Sequence, residues 1–204
     1  MNIITISREF GSGGRELGKR MADILGWDYY DREIIDTVAA EEGLDADYVQ
    51  AVLERHEWWT VPITFQRSFA ISNSPSTELL VKEKEVIERI GQGGRDCVIV
   101  GRNADYYLRQ LRPFRIFVCA DPEAKLRRCR DRAKEPMTDR EIEKQIKRID
   151  KNRASIRELV VGDRWADRNS FHLMVNTSDW EIKELAPAVA DFAKQYFKTT
   201  AGKL

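Results

Sequence analysis

At 204 residues, 42% of them hydrophobic and 33% charged, the chain suits one domain with a sizeable core and a well-solvated surface. Its 34 basic residues balance its 34 acidic ones, which removes the global electrostatic case for a nucleic-acid or membrane partner. No apolar run is long enough to span a bilayer, the N-terminal MNIITISREF has no charged-then-apolar leader, and Cys97, Cys119 and Cys129 lack metal-ligand spacing; a reducing, cytoplasmic setting is the expectation.

In chain order, Ile3-Ile4-Thr5-Ile6 predicts a short strand, and Leu17, Met21, Ile24 and Leu25 recur at helical spacing between Arg15 and Leu25. A short step at Trp27-Asp28-Tyr29-Tyr30 precedes a helix from about Arg32 to Ala40. Residues 43–75 break the rhythm. They carry His56, Trp58, Trp59, Phe65 and Phe69 with weak periodicity, and are expected to form a small helical insert that is also a candidate interface between copies in a homo-oligomer. Cys97-Val98-Ile99-Val100 is a continuous apolar run of the kind found in a strand buried on both faces, as is the run from Phe114 to Cys119; the stretch from His172 to Val175 closes the series. Helices are expected at 76–91, 104–111, 122–133, 138–158 and 180–197, with a short lid at about 127–140 and a frayed tail from Thr199 to Leu204. The alternation of strand and helix predicts a single α/β domain over 1–204, a parallel sheet with helices on both faces.

The first strand runs into Ser7-Arg8-Glu9-Phe10-Gly11-Ser12-Gly13-Gly14-Arg15-Glu16-Leu17-Gly18-Lys19. Three glycines in four residues let successive N–H groups turn inward as an anion nest. The N-terminus of the following helix adds its dipole and unpaired amides. Gly11, Ser12, Gly13 and Gly14 are therefore read as a cradle for nucleotide phosphates. A dinucleotide fingerprint would need glycine where Glu16 stands. Arg8 and Arg15 are the nearest cations able to neutralise phosphate charge, with a forked geometry suited to it.

This segment, with the Tyr29-Tyr30-Asp31-Arg32-Glu33 stretch after it, resembles the divergent, cytidylate kinase-like branch of the bacterial cytidylate kinases. The resemblance implies a P-loop kinase fold with a five-stranded parallel sheet in the order 2-3-1-4-5, the small helical insert at its side, and ATP with Mg2+ as donor and cofactor. The usual loop lysine falls at Gly14, and the usual magnesium-binding hydroxyl at Arg15 or Glu16. Gly101-Arg102-Asn103 stands where the family has Gly-Arg-Asp, which implies that Arg102 holds the acceptor phosphate; Val100 replaces the family's acid.

Further along, the helix opened by Asp121-Pro122 carries Arg127, Arg128, Arg130 and Arg132. The resemblance assigns Arg128 and Arg132 to the transferring phosphoryl group, a role that rests on charge stabilisation. Asp150-Lys151-Asn152-Arg153 matches the family's Asp-x-x-Arg, which implies contact with the pyrimidine nucleotide by Asp150 and Arg153; Asp31 joins these substrate residues. As a plain helical pair, Asp150 and Arg153 would contribute only about 0.2–0.5 kcal/mol. Val175-Asn176-Thr177-Ser178 resembles the family's closing strand and Asp-Thr-Ser. His56 and His172 are read as structural. The expected activity is ATP-dependent phosphorylation of a nucleoside monophosphate, CMP or dCMP first. The rivals are a kinase for another small acceptor, with Trp58, Trp59, Phe65 and Phe69 shaping its pocket, and a non-catalytic nucleotide-binding module.

Overall fold

A computed structural model describes residues 1–54, 75–133 and 135–200. Strand β1 (Ile3–Arg8) leads into helix α1 (Gly14–Leu25), followed by β2 (Asp28–Tyr30), α2 (Arg32–Glu42) and α3 (Ala46–Glu54). Then come α4 (Pro75–Gln92), β3 (Cys97–Val100), the single turn α5 (Ala104–Tyr107) and β4 (Phe114–Cys119). Helices α6 (Pro122–Arg132) and α7 (Asp139–Val161), strand β5 (Leu173–Asn176) and helix α8 (Ile182–Thr200) complete the order. All five strands are parallel, in the order β2-β3-β1-β4-β5, as expected from the sequence.

The period-two alternation of β1 divides the core. Ile4 and Ile6, with Val98 and Val100 of β3 and Ile116 and Val118 of β4, face Leu17 and Met21 of α1 and Ala186, Val189 and Ala190 of α8. Each of the large side chains, fully buried, contributes about 1.5–3 kcal/mol. On the other face Ile3, Cys97 and Ile99 meet Ile34, Ile35 and Val38 of α2, Val49 and Leu53 of α3, and Val86 and Ile87 of α4. Both layers are therefore covered, which is why β3 and the middle of β4 read as unbroken apolar runs.

Helix α3 lies within the stretch expected to form an insert; its Val49 and Leu53 are part of the core. His56, Trp58, Trp59, Phe65 and Phe69 fall outside the described residues. The helix expected over 104–111 divides: α5 is followed by a 3-10 turn at Arg109–Leu111, with Leu108 at φ −95° and ψ 14° between them. This puts the buried Leu108 against Gly91 of α4, where a Cβ on residue 91 would approach its Cδ2 to 2.6 Å. Helix α7 starts at a capping box: Glu141 accepts the Thr138 N–H at 2.8 Å, and Thr138 Oγ1 accepts the Glu141 N–H.

Candidate active site

In a parallel sheet the C-terminal strand ends share one edge, and here β1, β3, β4 and β5 all deliver loops to it. The β1–α1 loop turns back on Gly11 (φ 79°) and Gly13 (φ 82°), both in the left-handed region open to glycine. Helix α1 begins at Gly14, so the amides of its first turn have no intrahelical acceptor and can receive an anion. The loop is held from within. Ser12 is fully buried and its Oγ donates to the Glu9 carbonyl at 2.9 Å. Thr177, just beyond β5, donates from Oγ1 to the Ser12 carbonyl at 2.6 Å. Arg128 of α6 in turn donates to Thr177 Oγ1 at 3.0 Å and to the carbonyls of Thr177 and Trp180.

Beside this loop lies a cavity of about 360 Å³ between β1, β3, α3, α4 and α7. Four guanidinium groups line it: Arg8, Arg102, Arg148 and Arg153. Arg102 is held by the buried carboxylate of Glu83 on α4 at 3.3 Å. Its backbone is drawn into a rare conformation, since Gly101, Arg102 and Asn103 have φ values of 80°, 60° and 51° in succession. For Arg102 this stores strain of order 1–3 kcal/mol, a cost met most often at functional sites. Arg153 reaches back to β1, donating to the Arg8 carbonyl at 3.0 Å and pairing with Asp150 at 3.2 Å. Asp150 itself accepts the Phe10 N–H at 2.7 Å.

Charge is crowded here. Burial, then Arg153, Arg102 and Arg15, pull the Arg8 pKa down to about 9, with Asp31 opposing them at 3.6 Å. Burial raises the Asp150 pKa against the lowering effects of the Phe10 N–H and Arg153.

The model of the cytidylate kinase-like family matches residues 3–179. The chain belongs to the cytidylate kinase-like family. No curated protein matches it in sequence. Among solved structures it is similar to an uncharacterized protein from Eubacterium ventriosum, at a TM-score of 0.70 and 19% identity over 95% of this chain and 99% of that one. It is also similar to a shikimate kinase from Acinetobacter baumannii, in complex with shikimate, at 0.54 and 15% over 96% and 94%. A gluconokinase from Sinorhizobium meliloti follows at 0.52 and 13% over 99% and 97%. These likenesses establish the P-loop kinase fold, and family and fold together support a phosphotransferase.

Among the residues singled out by the cytidylate kinase-like motifs, Arg8, Arg102 and Arg153 meet on the cavity. Asp31 and Asp150 do not line it: Asp31 is engaged by Arg8 and, at 2.5 Å, by Arg15, and Asp150 by Phe10 and Arg153. Arg128 and Arg132 lie on the outer flank of the loop, Arg132 paired with Glu16 at 2.6 Å and Arg128 tied to the β5–α8 turn. Sequence reasoning missed Glu83, Arg148 and Asn152. Helical spacing was the available signal for the last two: Gln145, Arg148, Ile149, Asn152, Arg153 and Ile156 recur at i, i+3, i+4, i+7, i+8 and i+11, one face of α7, and all line the cavity. Ile146, one turn before Asp150, is buried, while Arg148 reaches the cavity wall.

No helix of the described residues is long and apolar enough to cross a membrane. Among them, no group of three His, Cys, Asp or Glu side chains is placed to hold a metal ion. Of the two residues at the position of the usual hydroxyl, Arg15 is paired with Asp31 and Glu16 is already engaged by Arg20 at 3.0 Å and by Arg132. The described side chains therefore do not fit a protein-held magnesium site; a magnesium ion would have to arrive on the phosphates of the donor with water as its other ligands.

Proposed function

We propose that the chain is an ATP-dependent kinase for a small anionic acceptor, a nucleoside monophosphate, with CMP or dCMP first. The observation that carries this is the arginine-lined cavity set directly beside the glycine loop. Four guanidinium groups would be costly on a wall meant for a neutral acceptor, because cations brought together in a partly desolvated space repel. Glu83, Asp150 and Asp31 offset part of this positive charge, and an acceptor phosphate would add to that compensation. The loop amides of Gly11 to Gly14 hold the donor phosphates. Arg102, Arg148 and Arg153 hold the acceptor, and Arg128 and Arg132 flank the donor side. Phosphate is already a competent nucleophile at neutral pH, so positioning and charge are the contributions required of the protein.

A second reading, a kinase for another small anionic acceptor, draws support from Asp150. It does not line the cavity, and its Oδ1 already accepts from the Phe10 N–H and Arg153. Turnover with ATP and Mg2+ across CMP, dCMP, UMP, AMP, shikimate, gluconate and sugar phosphates separates the readings. The expected result is turnover with CMP and dCMP. Turnover confined to another acceptor would favour the second reading, and ATP binding without turnover of any acceptor would point to a regulatory module.

A further inference from the structure

The loop departs from the G-x-x-x-x-G-K pattern at two positions: Arg8 stands at its first glycine and Gly14 at its lysine. The structure makes these a single change. The stem of Arg8 passes over position 14, where a Cβ would lie 2.6 Å from Arg8 Cβ and 3.1 Å from Arg8 Cγ. The guanidinium then continues across the end of β3, where a Cβ on Gly101 would collide with Arg8 Nη1. Gly14 has no left-handed backbone to explain it. Glycine is otherwise a poorer helix former than alanine. Its reason here is the side chain of Arg8.

The second observation is charge. Arg8 is 12% exposed, while Arg15, the other cation next to the loop, is 64% exposed and has its Nε against Asp31. Among the described residues, Asp31 at 3.6 Å is the carboxylate set against Arg153, Arg102 and Arg15, and burial, then this crowding, lowers the Arg8 pKa. A buried cation so incompletely neutralised is stabilised by any anion that enters beside it. Arg8 springs from the donor loop and lines the acceptor cavity, so it borders both halves of the site.

We propose that Arg8 is the phosphate-binding cation of this loop, the charge of the missing lysine moved from position 14 to position 8, where it faces the terminal donor phosphate and the acceptor phosphate together. This rests on the kinase reading above. In the transfer, the bond from the γ-phosphorus to the bridging oxygen of ADP breaks, its electron pair leaving with ADP, as an acceptor phosphate oxygen bonds to that phosphorus. Arg8 keeps its proton and contributes charge alone.

The experiment measures MgATP affinity by calorimetry, with AMP as the probe lacking the β- and γ-phosphates, and melting temperature without nucleotide. The proteins are wild type, Arg8→Met, Arg8→Gly, Gly14→Lys and the double exchange Arg8→Gly/Gly14→Lys. Arg8→Met keeps an unbranched stem over Gly14 and removes the charge. It should weaken MgATP by about tenfold or more, the loss of a charge-assisted hydrogen bond, and AMP by far less. Its melting temperature should rise, because a cation disfavoured by burial and by Arg153, Arg102 and Arg15 is gone while Asp31 keeps Arg15. Gly14→Lys alone should lower both stability and MgATP affinity, since the stem of Arg8 fills its space. The double exchange should recover MgATP affinity to within about threefold of wild type, the usual lysine now having room. Wild-type MgATP affinity in Arg8→Met, with the double exchange no better than Arg8→Gly, would overturn the assignment of Arg8 and leave the kinase reading standing. Failure of the wild type to bind MgATP at millimolar concentration would overturn both.

Discussion

The glycine loop, proposed as the donor site, and the arginine-lined cavity, proposed as the acceptor site, are neighbours built by opposite means. The donor loop is made of main chain: Gly11 and Gly13 set its turns, the start of α1 aims its amides, and Ser12 and Thr177 lock it from beneath. The acceptor cavity is made of side chains drawn from β1, β3, α3, α4 and α7, held in place by ion pairs such as Arg102 with Glu83 and Arg153 with Asp150. Main-chain sites depend on conformation, which a few glycines decide. Side-chain sites depend on neighbours far apart in the chain. A change in the first should act through backbone strain, and in the second through uncompensated charge.

The largest expected effect is on the acceptor side. Arg157 of α7 is buried and pairs with Asp105 of α5 at 2.6 Å and with Asp163 at 2.6 and 3.0 Å. It fixes the helix whose face forms the cavity wall to the loop that presents Arg102. Arg157→Leu leaves the buried Asp105 carboxylate without its cation, a loss of roughly 3–5 kcal/mol. For a chain of this size each kcal/mol moves the melting temperature by about 2–4 °C. Calorimetric unfolding should therefore show a drop of about 6 °C or more. A change under 2 °C would mean that the wall does not depend on this triad.

Next comes the donor side. Gly13→Ala forces a non-glycine residue to φ 82° and places its Cβ 2.6 Å from Ile182 Cδ1. The left-handed conformation alone costs roughly 1–2 kcal/mol, and Ile182 must move as well. Because the strain sits in the cradle, MgATP affinity should fall more steeply than stability, while CMP binding in the absence of ATP should hold. Equal losses for both ligands would show that the loop and the cavity are not separable units.

The same contrast explains what was legible in the sequence. The sheet order was implied by the resemblance to the cytidylate kinase-like branch, whereas the buried strands β1, β3 and β4 were legible from their apolar runs, because strands buried on both faces leave a clear pattern. The glycine loop was legible because conformational need is written in residue type. Arg102 was legible because it lies two residues beyond a strand end, in a Gly-Arg-Asn that matches the family's Gly-Arg-Asp. Glu83 was not: it is one of many acids on an amphipathic helix, and only the approach of α4 to the end of β3 makes it the buried partner of Arg102. The α7 face from Gln145 to Ile156 was hidden by its own charge density, since a helix with arginines and lysines on most turns gives little sign of which ones look inward. The role expected for Asp150 came from its match to the family's Asp-x-x-Arg, and that match could not reveal that the N–H of Phe10, 140 residues away, would reach its carboxylate.

Asp150 is where the two halves meet, and the smallest expected effect tests it. Its carboxylate ties α7 to the donor loop through Phe10, and its pKa is raised because burial outweighs the Phe10 N–H and Arg153. An acid with a raised folded-state pKa binds its proton more readily folded than unfolded. Its contribution therefore favours folding as the pH drops through the raised value toward the usual carboxylate value of 3.8, and opposes folding above that window. Asp150→Asn keeps an oxygen for the Phe10 N–H and removes the titration. At pH 7 its melting temperature should lie within about 2 °C of wild type, because relief from the buried charge offsets the weaker bonds to Phe10 and Arg153. From pH 5.5 to 4 the wild type should lose less stability than Asp150→Asn, by the share that protonating Asp150 returns. Asp150→Ala lacks the oxygen as well and should be the less stable of the two at every pH. If Asp150 is a tether, the ratio of kcat/KM for CMP over UMP should be the same in Asp150→Asn as in wild type. If it reads the cytosine amine, that ratio should collapse by about tenfold or more while the steeper acid loss of Asp150→Asn remains.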